Sequence, residues 1–268
     1  MQQTGNKSRR SYFNHPLVVE SLQCLPAALE HPNPADFRRY VIDHVPQNSL
    51  KGRKRIAGYL CQRFSDGHSM NLPLAAAVAQ FGDSRISREI LYFELLRVYP
   101  LFAEIATHWL AELPEEGGSR ASLKQFLAAR IPGRSTEKVA KDSLTTMKQC
   151  GKISRPRTAW YRALWAAPPL EVFLYVLAAL YPQPAVVPVE SLLNHPLRRA
   201  MLWPLATMEA LLQEAAHAGH ISKIARLDQY HQFTLAGSGA ERFQRLLPNL
   251  ACGPRQAALF DLEPEVKR

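Results

Sequence analysis

The residues best equipped for chemistry in this chain are clustered lysines and arginines, whose charges can neutralise phosphate. Residues 121–165 contain ten basic and two acidic side chains, a net charge of +8, while the whole chain of 268 residues carries +10. Such a local surplus favours a polyanionic partner, nucleic acid first and an acidic membrane second. The alternative interpretation is an ordinary solvated face of a helix.

Part of this cluster follows a helical period. The spacing i, i+4, i+7, i+11, i+14 puts five residues on one side of a predicted helix, opposite an apolar stripe. These five residues are Arg134, Lys138, Lys141, Thr145 and Lys148. Lysine suits phosphate contact, whereas Arg134, Thr145 or Gln149 could reach base edges.

The sequence predicts one main and one secondary nucleic-acid contact. The main set is Lys124, Arg130, Arg134, Lys138, Lys141, Thr145, Lys148, Lys152, Arg155 and Arg157. The secondary set, early in a helix of the N-terminal region, is Lys51, Arg53, Lys54 and Arg55. This second cluster either touches the DNA backbone beside the main site or only solvates its helix.

The elements around the main set have the order of a winged helix-turn-helix. An amphipathic helix begins near Leu101, and a capping-box pattern at 122–125 opens the next helix. A third helix runs from Ser135 or Thr136 to about Cys150 and ends at Gly151. A short hairpin carrying Lys152, Arg155 and Arg157 follows. In this arrangement the third helix enters the major groove and the hairpin lies along the flanking backbone.

The same order recurs 68 residues later. Gly151-Lys-Ile-Ser154 matches Gly219-His-Ile-Ser222, and four inward positions of the third helix match four of a helix from Leu205 to Ala218. The matched positions are Ala140, Ser143, Leu144 and Met147 with Met208, Leu211, Leu212 and Ala215. Residues 186–236 carry four basic and four acidic side chains, so this unit is charge-neutral. We expect a second winged-helix-like unit that serves packing or protein contact, the alternative being a chance similarity of two helix–hairpin corners.

The predicted fold is mainly α, with an all-helical N-terminal region of helices separated by prolines. We expect four parts: an all-helical domain at 1–100, the basic winged helix at 101–167, the neutral unit at 168–245 and a tail at 246–268. The apolar stretch 163–180 is interrupted by Pro168, Pro169 and Glu171, so we expect a buried helix there rather than a membrane span.

Several classes of site are missing from the sequence. It has no glycine-rich phosphate loop, zinc-protease motif or paired catalytic carboxylates, so we expect no enzyme activity, no cofactor and no small-molecule substrate. The four cysteines are widely spaced, and no secretion signal is evident, which favours a reducing cytoplasm. His217, His220 and His231 are interpreted as surface or capping histidines rather than metal ligands.

Spaced motifs in this chain resemble the BrxA family of bacteriophage exclusion (BREX) defence systems. The resemblance covers about residues 48–235. It rests on Gln62-Arg-Phe64, Arg88-Glu-Ile-Leu-Tyr-Phe93 with the helix through Phe102, Val139-Ala-Lys141 through Leu144, Cys150-Gly-Lys-Ile153 and Ser191-Leu-Leu-Asn-His-Pro196. It implies a NusB-like helical domain followed by winged helices. It also implies double-stranded DNA binding and cooperation with larger BREX subunits, including a methyltransferase and a phosphatase-like protein.

The sequence therefore predicts a non-enzymatic, cytoplasmic, double-stranded-DNA-binding accessory protein. Two other functions stay open. One is a scaffold that binds protein partners of a defence complex, and the other is RNA binding through the NusB-like domain.

Overall fold

The computed structural model describes Phe13, residues 15–131, 136–227 and 230–248, and Leu250. Helices dominate these residues, and two small three-stranded antiparallel sheets complete them. The predicted mainly α class is therefore confirmed. One continuous hydrophobic core extends from Phe13 to Leu250.

The N-terminal region is helical, as predicted. Its elements are α1 (Val18–Cys24), a 3-10 turn (Leu25–Leu29), α2 (Pro34–His44), α3 (Leu50–Phe64), α4 (Leu72–Phe81) and α5 (Arg85–Val98). Asn33, Ser49, Asn71 and Ser84 begin α2 to α5 by accepting a backbone N–H from the first turn, which satisfies a donor that has no partner within the helix. Because residues 89–96 of α5 are all buried, this helix lies at the centre of the core.

The middle region contains the first sheet. Its elements are α6 (Pro100–Glu104), a π turn (Ile105–Trp109), a 3-10 turn (Leu110–Glu112), β1 (Gly118–Ser119), α7 (Arg120–Ala128), α8 (Thr136–Gln149), β2 (Ile153–Arg157) and β3 (Trp160–Ala163). The strand order is β1-β3-β2, all antiparallel.

The predicted capping box at 122–125 is wrong. Helix α7 begins three residues earlier, because the Ser119 side chain accepts the Ser122 N–H at 3.0 Å. Gly117 precedes β1, and Gly118 is its first residue. A Cβ on Gly117 would overlap the Tyr161 carbonyl, and one on Gly118 would overlap the Leu113 side chain.

The C-terminal region repeats this order. Its elements are α9 (Leu170–Leu180), β4 (Ala185–Pro188), α10 (Val189–Leu193), α11 (Pro196–Ala200), α12 (Leu205–His217), β5 (Lys223–Leu227), β6 (Tyr230–Leu235) and α13 (Gly239–Leu246). The second sheet has the order β4-β6-β5, so its topology matches the first. All eight positions matched at the 68-residue offset are buried, and Gly151 and Gly219 both have positive φ, at 71° and 77°.

Helix α9 contains most of the apolar stretch 163–180, which the sequence predicts to be a buried helix rather than a membrane span. Residues 172–178 are buried in the core, as predicted for an internal helix. In the part of the chain that the structure describes, no helix combines the length and apolarity that crossing a bilayer requires.

Candidate nucleic-acid interface

The predicted stripe forms the solvent-facing side of α8. Lys138, Lys141 and Lys148 are exposed and Thr145 is partly exposed, while the helix buries seven other residues between 139 and 147. The Thr145 hydroxyl donates to the Lys141 carbonyl at 2.8 Å, so it is turned toward its own helix. The stripe thus presents three ammonium groups along about 15 Å of helix.

Contacts from the N-terminal region fix the orientation of α8. Asp142, on a buried side of the helix, accepts the backbone N–H of His15 at 2.9 Å and lies 3.4 Å from the Lys138 ammonium. At the other end, Arg88 of α5 donates to the Gln149 carbonyl at 2.6 Å. Arg88 is itself held by two hydrogen bonds to Asp83, and the hydrogen bond lowers the pKa of Asp83. The helix is therefore attached at both ends.

The hairpin of β2 and β3 adds further cations. Arg155 and Arg157 are exposed on β2, and the Arg157 guanidinium lies 4.3 Å from the centre of the Trp160 ring. The Trp160 indole donates to the Glu116 carbonyl at 2.6 Å, which anchors the ring. Ala159 makes the turn with a φ of 56°. Arg157 is therefore held at the hairpin tip by stacking.

Lys152 does not belong to this surface, and its assignment as a DNA-contacting residue is wrong. Its side chain is buried at 4% exposure, and its ammonium donates to the Met201 carbonyl at 3.0 Å. It also forms an ion pair of 3.2 Å with the buried Glu89. Burial lowers the pKa of Lys152, and the charge of Glu89 acts in the opposite direction. Lys152 instead links β2 to α5 and to the end of α11.

Two other predicted contacts are held in internal ion pairs. Lys124 lies 2.9 Å from Glu137, which also pairs with Arg120. The hydrogen bond from Lys124 lowers the pKa of Glu137. Arg130 pairs with Glu104 at 3.1 Å and stacks on Phe126. These cations must break existing pairs to reach phosphate.

The remaining cations are available. Across the described ranges, no acidic side chain lies within ion-pair distance of Lys141, Lys148, Arg155 or Arg157. Arg134 lies outside the described residues. Arg162 of β3 is also exposed and was not among the predicted contacts.

The secondary cluster lies on α3. Lys51, Lys54 and Arg55 are exposed, whereas Arg53 is half-buried and donates to the Ile42 carbonyl at 3.1 Å. Arg53 thus helps to join α3 to α2, and the other three residues face solvent.

The matching helix of the second unit has a different surface. Residues Leu205, Ala206, Glu209, Ala210 and Gln213 are exposed on α12. Glu209 pairs with Arg226 of β5 at 3.7 Å. Helix α12 therefore offers no basic stripe.

The predicted surface histidines form no metal site in the described part of the chain. No group of three or more His, Cys, Asp or Glu side chains there could hold a metal ion. His217 ends α12 and is exposed. Burial, followed by the charge of Arg245, lowers the pKa of His220.

Comparisons with known proteins show a similarity of fold. No family model and no curated protein matches the sequence. Among solved structures, the chain is similar to a crystal structure of SspB, with a TM-score of 0.62 and 14% identity over 92% of both chains. It is also similar to a magnesium ion-bound SspB crystal structure, with a TM-score of 0.59 and 13% identity over 92% of both chains. At this level of identity, the likeness concerns the fold alone.

Proposed function

We propose that this chain is a double-stranded-DNA-binding protein that uses α8 as its recognition helix. The observation that carries the proposal is the solvent-facing side of α8, where Lys141 and Lys148 have no acidic partner among the described residues. Lys138 extends the same stripe beyond its pair with Asp142. The ammonium groups of Lys141 and Lys148, without an acidic partner among the described residues and carried on a rigidly attached helix, suit the phosphates on either side of a major groove.

The order of the elements supports a winged-helix interpretation of this region. A helix, a short strand, two helices and a hairpin follow one another, and β1 pairs with β3, which pairs with β2. In winged helices the hairpin lies along the backbone beside the recognition helix. Arg155 and Arg157 would then contact phosphates next to those bound by α8.

These contacts supply affinity for the DNA backbone rather than recognition of the bases. The five cations of α8 and the hairpin (Lys138, Lys141, Lys148, Arg155 and Arg157) bring at most five phosphate contacts. The logarithm of the binding constant should then fall with the logarithm of salt concentration with a slope of about −4.5. Because the Thr145 hydroxyl is bonded to its own helix, we expect weak sequence preference.

The biological setting is part of the proposal. The resemblance to the BrxA family supports an accessory, non-enzymatic role in a cytoplasmic BREX defence system, beside a methyltransferase and a phosphatase-like subunit. It also supports a NusB-like N-terminal helical domain. The neutral second unit, with its exposed Leu205 on α12, suits contact with those protein partners.

The test is binding to a fluorescent 30-base-pair duplex, measured by anisotropy at 0.15 M salt. The test variant is Lys141→Glu/Lys148→Glu, which spares Lys138 because that residue contacts Asp142. The control is Lys223→Glu/Arg226→Glu, which replaces two exposed residues of β5 and changes the net charge equally. Each lost phosphate contact reduces affinity about fivefold at this salt concentration. We therefore expect a loss of at least about 25-fold in the test variant and less than about threefold in the control.

Other outcomes would favour the alternatives. Equal losses in the two variants would show that only net charge matters and would remove α8 as the site. If structured RNA competed better than duplex DNA, RNA binding would replace the proposal. If the wild-type protein bound neither nucleic acid, DNA binding would be rejected in favour of the scaffold function.

A further inference from the structure

A basic face of α3 leads directly toward the N-terminal end of α8. Lys51, Arg55, Tyr59 and Arg63 are spaced four residues apart, so they share one side of the helix. Lys51 and Arg55 are exposed, Tyr59 is half-buried and Arg63 is buried at 2% exposure. The face thus starts in solvent and ends inside the protein.

The buried end of this face holds the segment that precedes α1. Arg63 donates to the Tyr99 hydroxyl at 3.0 Å and to the carbonyls of His15 and Pro16. Its guanidinium also lies 5.2 Å from the centre of the Phe13 ring. Because Arg63 is enclosed by these groups, the backbone around His15 is fixed relative to α3.

His15 joins α3 to α8. Its ring lies 4.9 Å from the Tyr59 ring, and its Nε2 lies 3.5 Å from the Lys138 ammonium. Its backbone N–H donates to Asp142. Since Arg55 is one helical turn from Tyr59, its guanidinium lies on the same side as this junction. The charges of Lys138 and Arg55 both act on His15.

We propose that α3 and α8 form one phosphate-binding track, with His15 at its centre. In order along the track lie Lys51, Arg55, His15, Lys138, Lys141 and Lys148. From the rise of the two helices and the contacts that His15 makes with both, the track is at most about 35 Å long, which corresponds to about ten base pairs of duplex. The ligand is the backbone of the same double-stranded DNA that α8 binds, so this inference rests on the proposed function.

The test variant is Lys51→Glu/Arg55→Glu in the full chain. Lys51 lies in the first turn of α3, where glutamate interacts favourably with the helix dipole, and Arg55 is exposed, so we expect the fold to be retained. The matched control is again Lys223→Glu/Arg226→Glu, and Lys51→Arg/Arg55→Lys preserves the charge. The probe is the 30-base-pair duplex, which is longer than the track.

We expect the α3 variant to lose about 10- to 30-fold in affinity at 0.15 M salt and to reduce the magnitude of the salt slope by about 1 to 2. The charge-preserving variant should bind within about twofold of wild type. Combining the α3 and α8 substitutions should reduce the slope by the sum of the two separate effects.

The two proposals fail in different ways. Full affinity in the α3 variant, with loss in the α8 variant, would overturn the shared track and leave DNA binding by α8 intact. Full affinity in both variants would overturn both. Loss in the α3 variant alone would also contradict the track, because the track requires α8.

Discussion

Replacing the buried Lys152 with methionine tests whether this residue supports the fold or contacts DNA. The substitution keeps the apolar length of the side chain but removes its ammonium. Glu89 then remains buried without that partner, and the Met201 carbonyl loses a donor. Breaking a buried ion pair typically costs about 3–5 kcal/mol. Since Arg85 still contacts Glu89 at 2.8 Å, we expect the lower end, about 3 kcal/mol of unfolding free energy.

A loss of this size is measurable by thermal denaturation. For a protein of roughly 250 residues, 1 kcal/mol shifts Tm by about 2–4 °C, so in this chain of 268 residues Lys152→Met should lower Tm by about 6–12 °C. Adding Glu89→Leu removes the unpaired carboxylate and should recover most of the loss. DNA affinity of Lys152→Met, measured well below its Tm, should stay within about twofold of wild type. An unchanged Tm combined with weaker DNA binding would refute the structural role of Lys152 and indicate that it contacts DNA.

Two further predictions concern histidines. Burial lowers the pKa of His195, so its contribution to stability is complete above pH 6.5 and is lost as the pH falls below that value. Because His195 caps α11 by accepting the Leu197 N–H, His195→Asn should keep the cap. The Tm of this variant should fall less than that of wild type between pH 7.5 and 5.5, and an equal fall would contradict this role of His195. Burial, then the charge of Lys138, lowers the pKa of His15, with Arg55 and Arg63 acting in the same direction and Asp142 against them. The His15 ring also faces Tyr59, and His15 should gain a proton only below pH 6.5. The affinity of the wild type for duplex DNA should therefore rise more between pH 7.5 and 5.5 than the affinity of His15→Gln. Equal changes in affinity for the two proteins would exclude His15 from the track.

Much of the helical framework could be predicted from the sequence because its signals are local. Ser49 and the residues after it define α3, and the period of Lys138, Lys141 and Lys148 predicts the exposed side of α8. The 68-residue repeat predicts which positions of α12 are buried. Caps and periodicity act within one or two turns, so one sequence is enough to show them.

Contacts between distant residues could not be predicted in this way. Lys152 lies beside basic residues in the sequence, and only tertiary packing places it against Glu89, 63 positions earlier. His15 has no local feature that predicts its contact with Asp142. Strand β1 has two residues, too few to show an alternating pattern. Three residues of the motifs that resemble the BrxA family, Arg63, Glu89 and Cys150, are buried and belong to the core, whereas Lys141 of the same motifs lies on the exposed side of α8.

The salt dependence of duplex binding tests the central claim most directly. It counts phosphate contacts without assuming a DNA sequence or a partner protein. Between about 50 and 300 mM salt, contacts from α8 and the hairpin predict that the logarithm of the wild-type binding constant falls with the logarithm of salt concentration with a slope of about −4.5. The slope should be steeper by about 1 to 2 if α3 contributes. In Lys141→Glu/Lys148→Glu the slope should become shallower by about 2, while Lys223→Glu/Arg226→Glu should leave it unchanged. Equal slopes in the wild type and the α8 variant would contradict DNA binding by α8.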